Sequence, residues 1–141
     1  MFQYTVYRKK CAARFTVGSG FVGFEAANII PETVNNENPN YDWENKIIVS
    51  LTVDEICKFM GLFDGVVPEI SLFHSGSKGT KTLKAKKMDN GNTLISVDHT
   101  LPDGTKNSVS GISLTFENYY AFRTILSEGI LSLTHVQNKG A

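Results

Sequence analysis

Short segments rich in β-branched and aromatic residues, separated by turn residues, dominate the chain as far as residue 114. Each segment predicts a β-strand, because such side chains suit a pleated, half-buried surface. The predicted strands form two groups, 4–7, 11–17, 21–30 and 46–51, then 69–74, 81–88, 93–99 and 107–114. The turns at 89–91 (DNG) and 102–104 (PDG) are typical of hairpins. The one clear long loop is the asparagine-rich stretch from Pro31 to Tyr41.

A helix is predicted after the first group of strands. Thr52 is a good N-cap and Glu55 follows three residues later, so the two residues can form a capping box. The residues that recur at helical spacing, and that predict the apolar face, are Val53, Ile56, Cys57, Met60 and Phe63. Gly61 or Gly65 is predicted to end this helix.

The second group of strands also leads into a predicted helix, which begins at Thr115. Residues 49–55 (VSLTVDE) match residues 112–118 (ISLTFEN). A repeat of this size indicates two similar units, each a set of strands followed by a helix, packed into one α+β domain over residues 1–141. The second helix has a wide apolar face, which indicates burial against partner subunits. Gly129 is predicted to interrupt it.

Charge is unevenly distributed along the chain. The 14 basic and 14 acidic residues give no net charge, whereas nucleic-acid-binding domains are usually basic. Basic residues nevertheless cluster at 8–14 and 78–87, and the segment between Glu25 and Glu69 is acidic. This distribution predicts two basic strips on an otherwise acidic surface. Lysines that keep edge strands soluble would give the same pattern.

The sequence contains no motif typical of an enzyme. The histidines form no i, i+4 pair, and no nucleophile elbow, Walker loop or dinucleotide-binding motif is present. We therefore expect no catalytic activity, no cofactor and no metal. No apolar segment is long enough to cross a bilayer, and the N-terminus reads as a strand. We expect a protein of the bacterial or phage-infected cytoplasm, or an organellar protein that has lost its leader.

Aromatic residues accompany the basic segments. Tyr7 precedes the cations at 8–10, residues 41–43 (YDW) precede Lys46, and Phe73 precedes the lysines at 78–87. Cations can hold phosphates, and unpaired bases stack on aromatic rings with about 1–3 kcal/mol per base and little sequence preference. The pattern therefore favours a protein that binds a single strand, with core packing as the alternative for each aromatic residue.

Several segments resemble motifs of the Whirly family of single-stranded DNA-binding proteins. Residues 41–46 (YDWENK), followed by 49–55 (VSLTVDE), resemble the family's YDW-x-x-K segment and the helix start after it. Residues 8–13 (RKKCAA) resemble its KGKAAL motif, and 72–74 (LFH) its FFH segment. The resemblance implies two packed four-stranded antiparallel sheets with two helices, and a homotetramer with the helices towards its centre. DNA would cross the sheet edges, with bases in apolar gaps between protomers.

We therefore predict that the protein binds single-stranded DNA with little sequence preference and protects it during replication, recombination or repair. The residues predicted to contact phosphates are Arg8, Lys10, Lys46, Lys78, Lys81 and Lys84. Those predicted to stack with bases are Tyr7, Phe24, Tyr41 and Trp43, and His74 could serve either purpose. Two alternatives stay open, namely RNA binding or annealing by the same fold, and a non-catalytic oligomeric scaffold or transcription accessory protein.

Overall fold

A computed structural model describes residues 1–139, with side chains as far as Thr134. The first half of the chain contains β1 (Phe2–Tyr7), β2 (Cys11–Gly18), β3 (Phe21–Asn28), β4 (Ile47–Ser50) and helix α1 (Val53–Phe63). The second half contains β5 (Glu69–Gly76), β6 (Gly79–Lys87), β7 (Thr93–Thr100), β8 (Lys106–Leu114) and helix α2 (Phe116–Lys139). The order of the elements is therefore the predicted one, strands and a helix twice over.

Each half forms its own four-stranded antiparallel sheet, with the strands side by side in sequence order. The first sheet contains β1–β4 and the second contains β5–β8. Gly91 and Gly104 adopt positive φ angles of 87° and 91° in the turns flanking β7, a conformation that glycine reaches without strain. The predicted α+β fold of two four-stranded sheets and two helices is confirmed.

The two sheets and the two helices enclose one hydrophobic core. β8 packs against β2 and β3, and β7 packs against β4, while α2 lies over β1–β3 and α1 contacts α2 and β5. The ring of Phe15 lies edge-on, at centroid distances of 5.2, 5.1 and 4.8 Å, to the rings of Phe24, Phe59 and Phe122. Phe24 is fully buried. The prediction that it stacks with bases is wrong, because alternation along β3 turns its side chain into this core.

Helix α1 begins with the predicted capping box. Thr52 Oγ1 accepts a hydrogen bond from the Glu55 amide at 3.2 Å, and Glu55 Oε1 accepts one from the Thr52 amide at 3.0 Å. Gly65 follows the helix with a φ of 77°. The predicted apolar face was wrong in part, since Cys57 is exposed. The buried residues are Ile56, Phe59, Leu62 and Phe63.

Helix α2 continues through Gly129, contrary to the prediction that this residue interrupts it. A Cβ atom at position 129 would lie 2.8 Å from Val22 Cγ2 and 3.4 Å from Val17 Cγ2. Glycine therefore lets the helix approach β2 and β3 closely. One turn later, Ser132 Oγ donates a hydrogen bond to the Gly18 carbonyl at 2.8 Å. Across the described residues, neither helix has both the length and the apolar character to cross a membrane.

The two halves are joined by reciprocal hydrogen bonds at the helix N-termini. Asn118 Oδ1 caps α2 by accepting from the Thr115 amide at 2.9 Å, and it also accepts from Arg8 Nη2 at 2.8 Å. At the start of α1, Glu55 Oε2 lies 2.6 Å from His74 Nε2. Each helix start is thus bonded to a basic side chain from the other half.

Candidate nucleic-acid interface

The face of the first sheet that looks away from the core carries the polar residues of its strands. The register pairs Arg14 with Glu25 and Glu25 with Ile48, and directly paired residues have Cβ atoms about 4.5–5.5 Å apart. A short 3-10 turn at Trp43–Asn45 lies beside this face. The guanidinium carbon of Arg14 lies 4.1 Å from the centroid of the Trp43 ring, a cation–π contact. We call this surface the outer face of the first sheet.

Glu25 is the electrostatic centre of this outer face. Its carboxylate lies 2.6 Å from Lys46 Nζ and 3.1 Å from Arg14 Nη2, and accepts a hydrogen bond from Thr16 Oγ1 at 2.7 Å. Burial raises the pKa of Glu25, but the hydrogen bonds from Lys46, Thr16 and Arg14 outweigh it and hold the pKa below its ordinary value. The side chains of Arg14 and Lys46 stay 19% and 29% exposed, so both cations still reach solvent.

A groove of about 230 Å³ separates the edge strand β4 from the hairpin of β5 and β6. Lys81 Nζ spans it by donating a hydrogen bond to the Ile48 carbonyl at 2.6 Å. The hairpin can close because position 79 is glycine, with a φ of 103°, where a Cβ atom would lie 2.1 Å from the Thr100 carbonyl oxygen. The groove is lined by Ile48, Ser50, His74, Ser75, Lys78 and Lys81, among others. We call it the junction groove.

The junction groove carries positive charge that the protein compensates only in part. Burial lowers the pKa of Lys81, and the nearby charge of Lys78 lowers it further. Glu55 is the carboxylate beside His74. Burial raises the pKa of Glu55, but hydrogen bonds from His74 and Thr52 hold it below its ordinary value. Glu55 therefore stays ionised at neutral pH and is already engaged at the start of α1.

The outer face of the first sheet and the junction groove form one continuous surface, because Ile48 belongs to both. Of the predicted site residues, this surface contains Trp43, Lys46, His74, Lys78 and Lys81. These residues come from both halves of the chain. We call the whole the junction surface.

Tyr7 and Tyr41 form an aromatic pair on the same side of the first sheet. Their ring centroids are 5.5 Å apart, and Tyr7 is 59% exposed. The Tyr41 hydroxyl donates a hydrogen bond to the Arg8 carbonyl at 2.6 Å. Tyr7 pairs with Ala12 in the register, two residues along β2 from Arg14. The pair therefore extends the junction surface with a flat, partly exposed ring.

Internal hydrogen bonds hold the side chain of Arg8 against the second half of the chain. Its guanidinium donates hydrogen bonds to the Ser113 carbonyl at 2.7 Å and to Asn118 Oδ1 at 2.8 Å. These bonds leave other N–H donors of the guanidinium unused, so the contact of Arg8 with phosphate stays a prediction. Lys10 is exposed in the β1–β2 turn and lines a separate depression with Pro31, so its role stays a prediction.

Lys84 lies on the outer face of the second sheet, apart from the junction groove. A cavity of about 660 Å³ on this face is lined by Ser71, Lys84, Lys86, Leu94, Ser96 and Ser110, among others. A register shift between β7 and β8, with Gly111 at a φ of 75°, interrupts the ladder here. Phe73 alternates onto the same face and is 66% exposed. The predicted lysine segment is therefore split between two surfaces.

Arg14 and Glu25 are important members of the junction surface that the predicted site did not include. The signal that would have found them is the turn at Ser19 and Gly20. A two-residue turn there pairs Gly18 with Phe21, as the structure has it, and this register places residues 14 and 25 opposite each other. The ion pair between Arg14 and Glu25 then follows from strand pairing.

The described residues contain no group of three or more histidine, cysteine, aspartate or glutamate side chains that could hold a metal ion. No family model matches the sequence, and neither does any curated protein. The resemblance to the Whirly family therefore stays a prediction.

Solved structures share the fold over almost the whole chain. A crystal structure of MRP1/MRP2 from Trypanosoma brucei matches with a TM-score of 0.66 and 10% identity, over 99% of this chain and 87% of that chain. A guide-RNA-binding protein complex bound to a guide RNA matches with a TM-score of 0.67 and 11% identity, over 94% of this chain and 90% of that chain. The two-sheet, two-helix arrangement of this chain is thus the fold of these structures.

Proposed function

We propose that the protein binds single-stranded nucleic acid without catalysis, and that RNA is the preferred strand. The observation that carries the proposal is the junction surface, where cations from both halves adjoin aromatic rings. Lys78 and Lys81 line the groove, and Lys46 and Trp43 lie on the adjoining outer face. The preference for RNA is supported by the fold shared with a protein complex bound to guide RNA.

In this proposal the strand is held by its backbone and by stacking. Lys78, Lys81 and Lys46 would contact phosphates, and bases would stack on Tyr7 and add to the stack of Arg14 and Trp43. Any base has a flat face, so stacking depends little on sequence. RNA would be preferred over DNA only where its 2′-hydroxyl makes a hydrogen bond, and the polar side chains along the groove offer partners for it.

Fluorescence anisotropy with matched single-stranded RNA, single-stranded DNA and duplex DNA, over a range of salt concentrations, tests the function. We expect tight binding of the single strands, with RNA ahead of DNA. The logarithm of the binding constant should fall with the logarithm of salt concentration at about −0.7 per phosphate contact. Lys81→Met should weaken binding and flatten the slope. Lys58→Met, at an exposed position on α1, is the matched control and should bind as the wild type does.

The outcomes separate the alternatives. Tighter binding of DNA than of RNA would support the DNA-protecting function predicted from the sequence. Equal affinity for the two strands would remove the preference for RNA. No binding at low salt would contradict nucleic-acid binding altogether and support the scaffold alternative.

We further propose that the protein assembles as a homotetramer through α2. Large apolar side chains on the solvent side of this helix are exposed, with Tyr120 at 73%. Phe116 and Leu131 are also exposed on α2, and Phe2 on the neighbouring strand β1. Apolar groups grouped in this way are typical of a surface that another protein covers.

A further inference from the structure

The junction groove is small for a ligand site and large enough for a phosphate group. Its volume of about 230 Å³ lies below the roughly 300–1,000 Å³ of pockets that bind whole small molecules. One wall is the edge of β4, with Ser50, and the other is the hairpin of β5 and β6, with Ser75 and Ser77. Three hydroxyl groups therefore line the same small space as two lysines.

The two lysines bring positive charge to this space. Lys78 and Lys81 line the groove together, and the charge of Lys78 adds to burial in lowering the pKa of Lys81. Lys81 Nζ uses one hydrogen bond on the Ile48 carbonyl, and an ammonium group has three donors. Donors of Lys81 thus remain for a ligand. Glu55 is not among the residues that line the groove. Its carboxylate is bonded to the lining residue His74 and to the Thr52 amide.

A backbone phosphodiester carries one negative charge, whereas a phosphate monoester carries about −1.5 to −2 at neutral pH and presents three acceptor oxygens. Two adjacent lysines and several hydroxyl groups match the monoester better than the diester. We propose that the junction groove binds the terminal phosphate monoester of a nucleic-acid strand. This inference rests on the proposed function, in which the junction surface binds the remainder of the strand.

Binding of the strand end in the groove would fix where the strand begins on the protein. From the groove, the surface continues over Ile48 to Glu25 and Lys46, and from there to Trp43 through Arg14. The nucleotides next to the terminal phosphate would therefore reach the cations and rings of the outer face. Strands with a phosphorylated end would be preferred over internal stretches of the same sequence.

The test uses the full-length protein and one single-stranded RNA sequence with different ends. The ends are a 5′-phosphate, a 3′-phosphate, hydroxyl groups only, and a 5′-phosphate blocked as its methyl diester. We expect one of the two monoester strands to bind about tenfold tighter than the hydroxyl-ended strand, as an added charge-assisted contact would give. The methyl diester should lose most of this gain. Inorganic phosphate, added at constant ionic strength, should reduce the preference and should weaken the binding of the hydroxyl-ended strand far less than that of the monoester strand.

Lys78→Gln assigns the preference to the groove. Lys78 is exposed, so the substitution should leave the fold intact. It should abolish the preference for the monoester. The binding of the hydroxyl-ended strand should weaken by no more than the loss of one phosphate contact. Lys58→Gln, which changes the same charge on α1, should retain the preference.

Equal affinity for all four strands would overturn the inference while leaving the proposed function in place. A preference that survives Lys78→Gln, or that the methyl diester retains in full, would overturn it as well. Saturable binding of inorganic phosphate without any preference among the strands would identify the free ion as the ligand and so contradict it. Failure of every strand to bind would remove the proposed function too, and would be recognised by the absence of a salt-dependent signal.

Discussion

Glu25 binds the cations of the outer face in the protein without a ligand. Its carboxylate holds Lys46 at 2.6 Å and Arg14 at 3.1 Å. A phosphate group that binds there must compete with a carboxylate that is already present. The charge of Glu25 therefore both positions these cations and weakens their interaction with a polyanion.

Glu25→Gln should accordingly bind single-stranded RNA severalfold more tightly than the wild type. Release of Lys46 and Arg14 should also steepen the slope of the logarithm of the binding constant against the logarithm of salt concentration. The change should be about 0.7, the value of one phosphate contact. Anisotropy titrations at several salt concentrations measure both effects. Glu44→Gln, an exposed change of equal charge in the adjoining turn, is the control. Equal gains in the two variants would mean that only the overall charge matters.

The same carboxylate should make stability depend on acid. The pKa of Glu25 lies below its ordinary value near 4.5, so the unfolded chain binds more protons in the window between the two values. The stability that Glu25 contributes is therefore present above about pH 4.5 and is lost as the pH falls through the lowered pKa. Urea unfolding at neutral and acid pH measures this effect. The free energy of unfolding should fall less on acidification for Glu25→Gln than for the wild type. An identical loss would contradict the assignment.

Trp43 is the sole tryptophan of the chain, so its fluorescence reports on one place. We expect saturating RNA to change this signal, because bases would add to the stack of Trp43 and Arg14. Trp43→Ala should weaken the binding of all sequences alike, by roughly tenfold, since stacking is worth about 1–3 kcal/mol per base. Trp43→Phe, which keeps a ring, should lose less. Unchanged fluorescence at saturation would exclude Trp43 from the bound surface.

The sequence could predict site residues where local context sets their exposure. Trp43 and Lys46 follow a polar loop, and both lie on the junction surface. Phe24 stands in a strand, where alternation decides burial, and the prediction for it failed because the facing direction was not known. The internal bonds of Arg8 could not be predicted for a different reason. The residue that binds it, Asn118, lies 110 positions away, and no local pattern indicates such a partner.

At the scale of elements, the starts of the helices were predictable and their environments were not. The capping box of α1 follows from residues three apart in sequence. The close approach of α2 to the first sheet depends on the position of Val22 relative to Gly129, which only the packed structure gives. Gly129, which was predicted to interrupt the helix, is instead the point where α2 contacts the first sheet.

Gly129→Ala tests this contact. In an unstrained helix interior, alanine is favoured over glycine by about 1 kcal/mol. Here the added methyl group would lie 2.8 Å from Val22 Cγ2, and overpacking costs about 1–3 kcal/mol. We expect a net loss in the free energy of unfolding of about 1 kcal/mol, measured by urea denaturation. Combination with Val22→Ala should remove much of this loss, and a variant more stable than the wild type would contradict the packing argument.

At the scale of the whole molecule, the internal repeat predicted two units, each a set of strands followed by a helix, and the family resemblance implied the two four-stranded sheets. They did not predict how the sheets meet. The lysines of residues 78–87 form one block in the sequence, yet Lys78 and Lys81 line the junction groove while Lys84 lies on another face. Lys81 and Lys84 stand three residues apart in β6, so alternation points their side chains to opposite faces of the sheet. A continuous basic segment therefore contributes to two surfaces.

The tetramer is a prediction at this same scale. Light scattering should give four times the mass of one chain for the wild type. Replacement of Tyr120 and Leu131 by glutamate places charge on the exposed side of α2 and should give a smaller species with an unchanged circular dichroism spectrum. Lys58→Glu on α1 should leave the mass unchanged. A monomeric wild type at micromolar concentration would contradict the prediction.

The reciprocal bonds between Arg8 and Asn118, and between His74 and Glu55, make the two repeats depend on each other. Each half holds only one partner of each bond, so neither half can complete these bonds without the other. Cleavage of the connection between α1 and β5 should therefore leave two fragments that fold together when mixed and poorly when separate. Exchange of halves between two intact chains would preserve every one of these bonds, which makes swapped dimers an accessible product of refolding at high concentration.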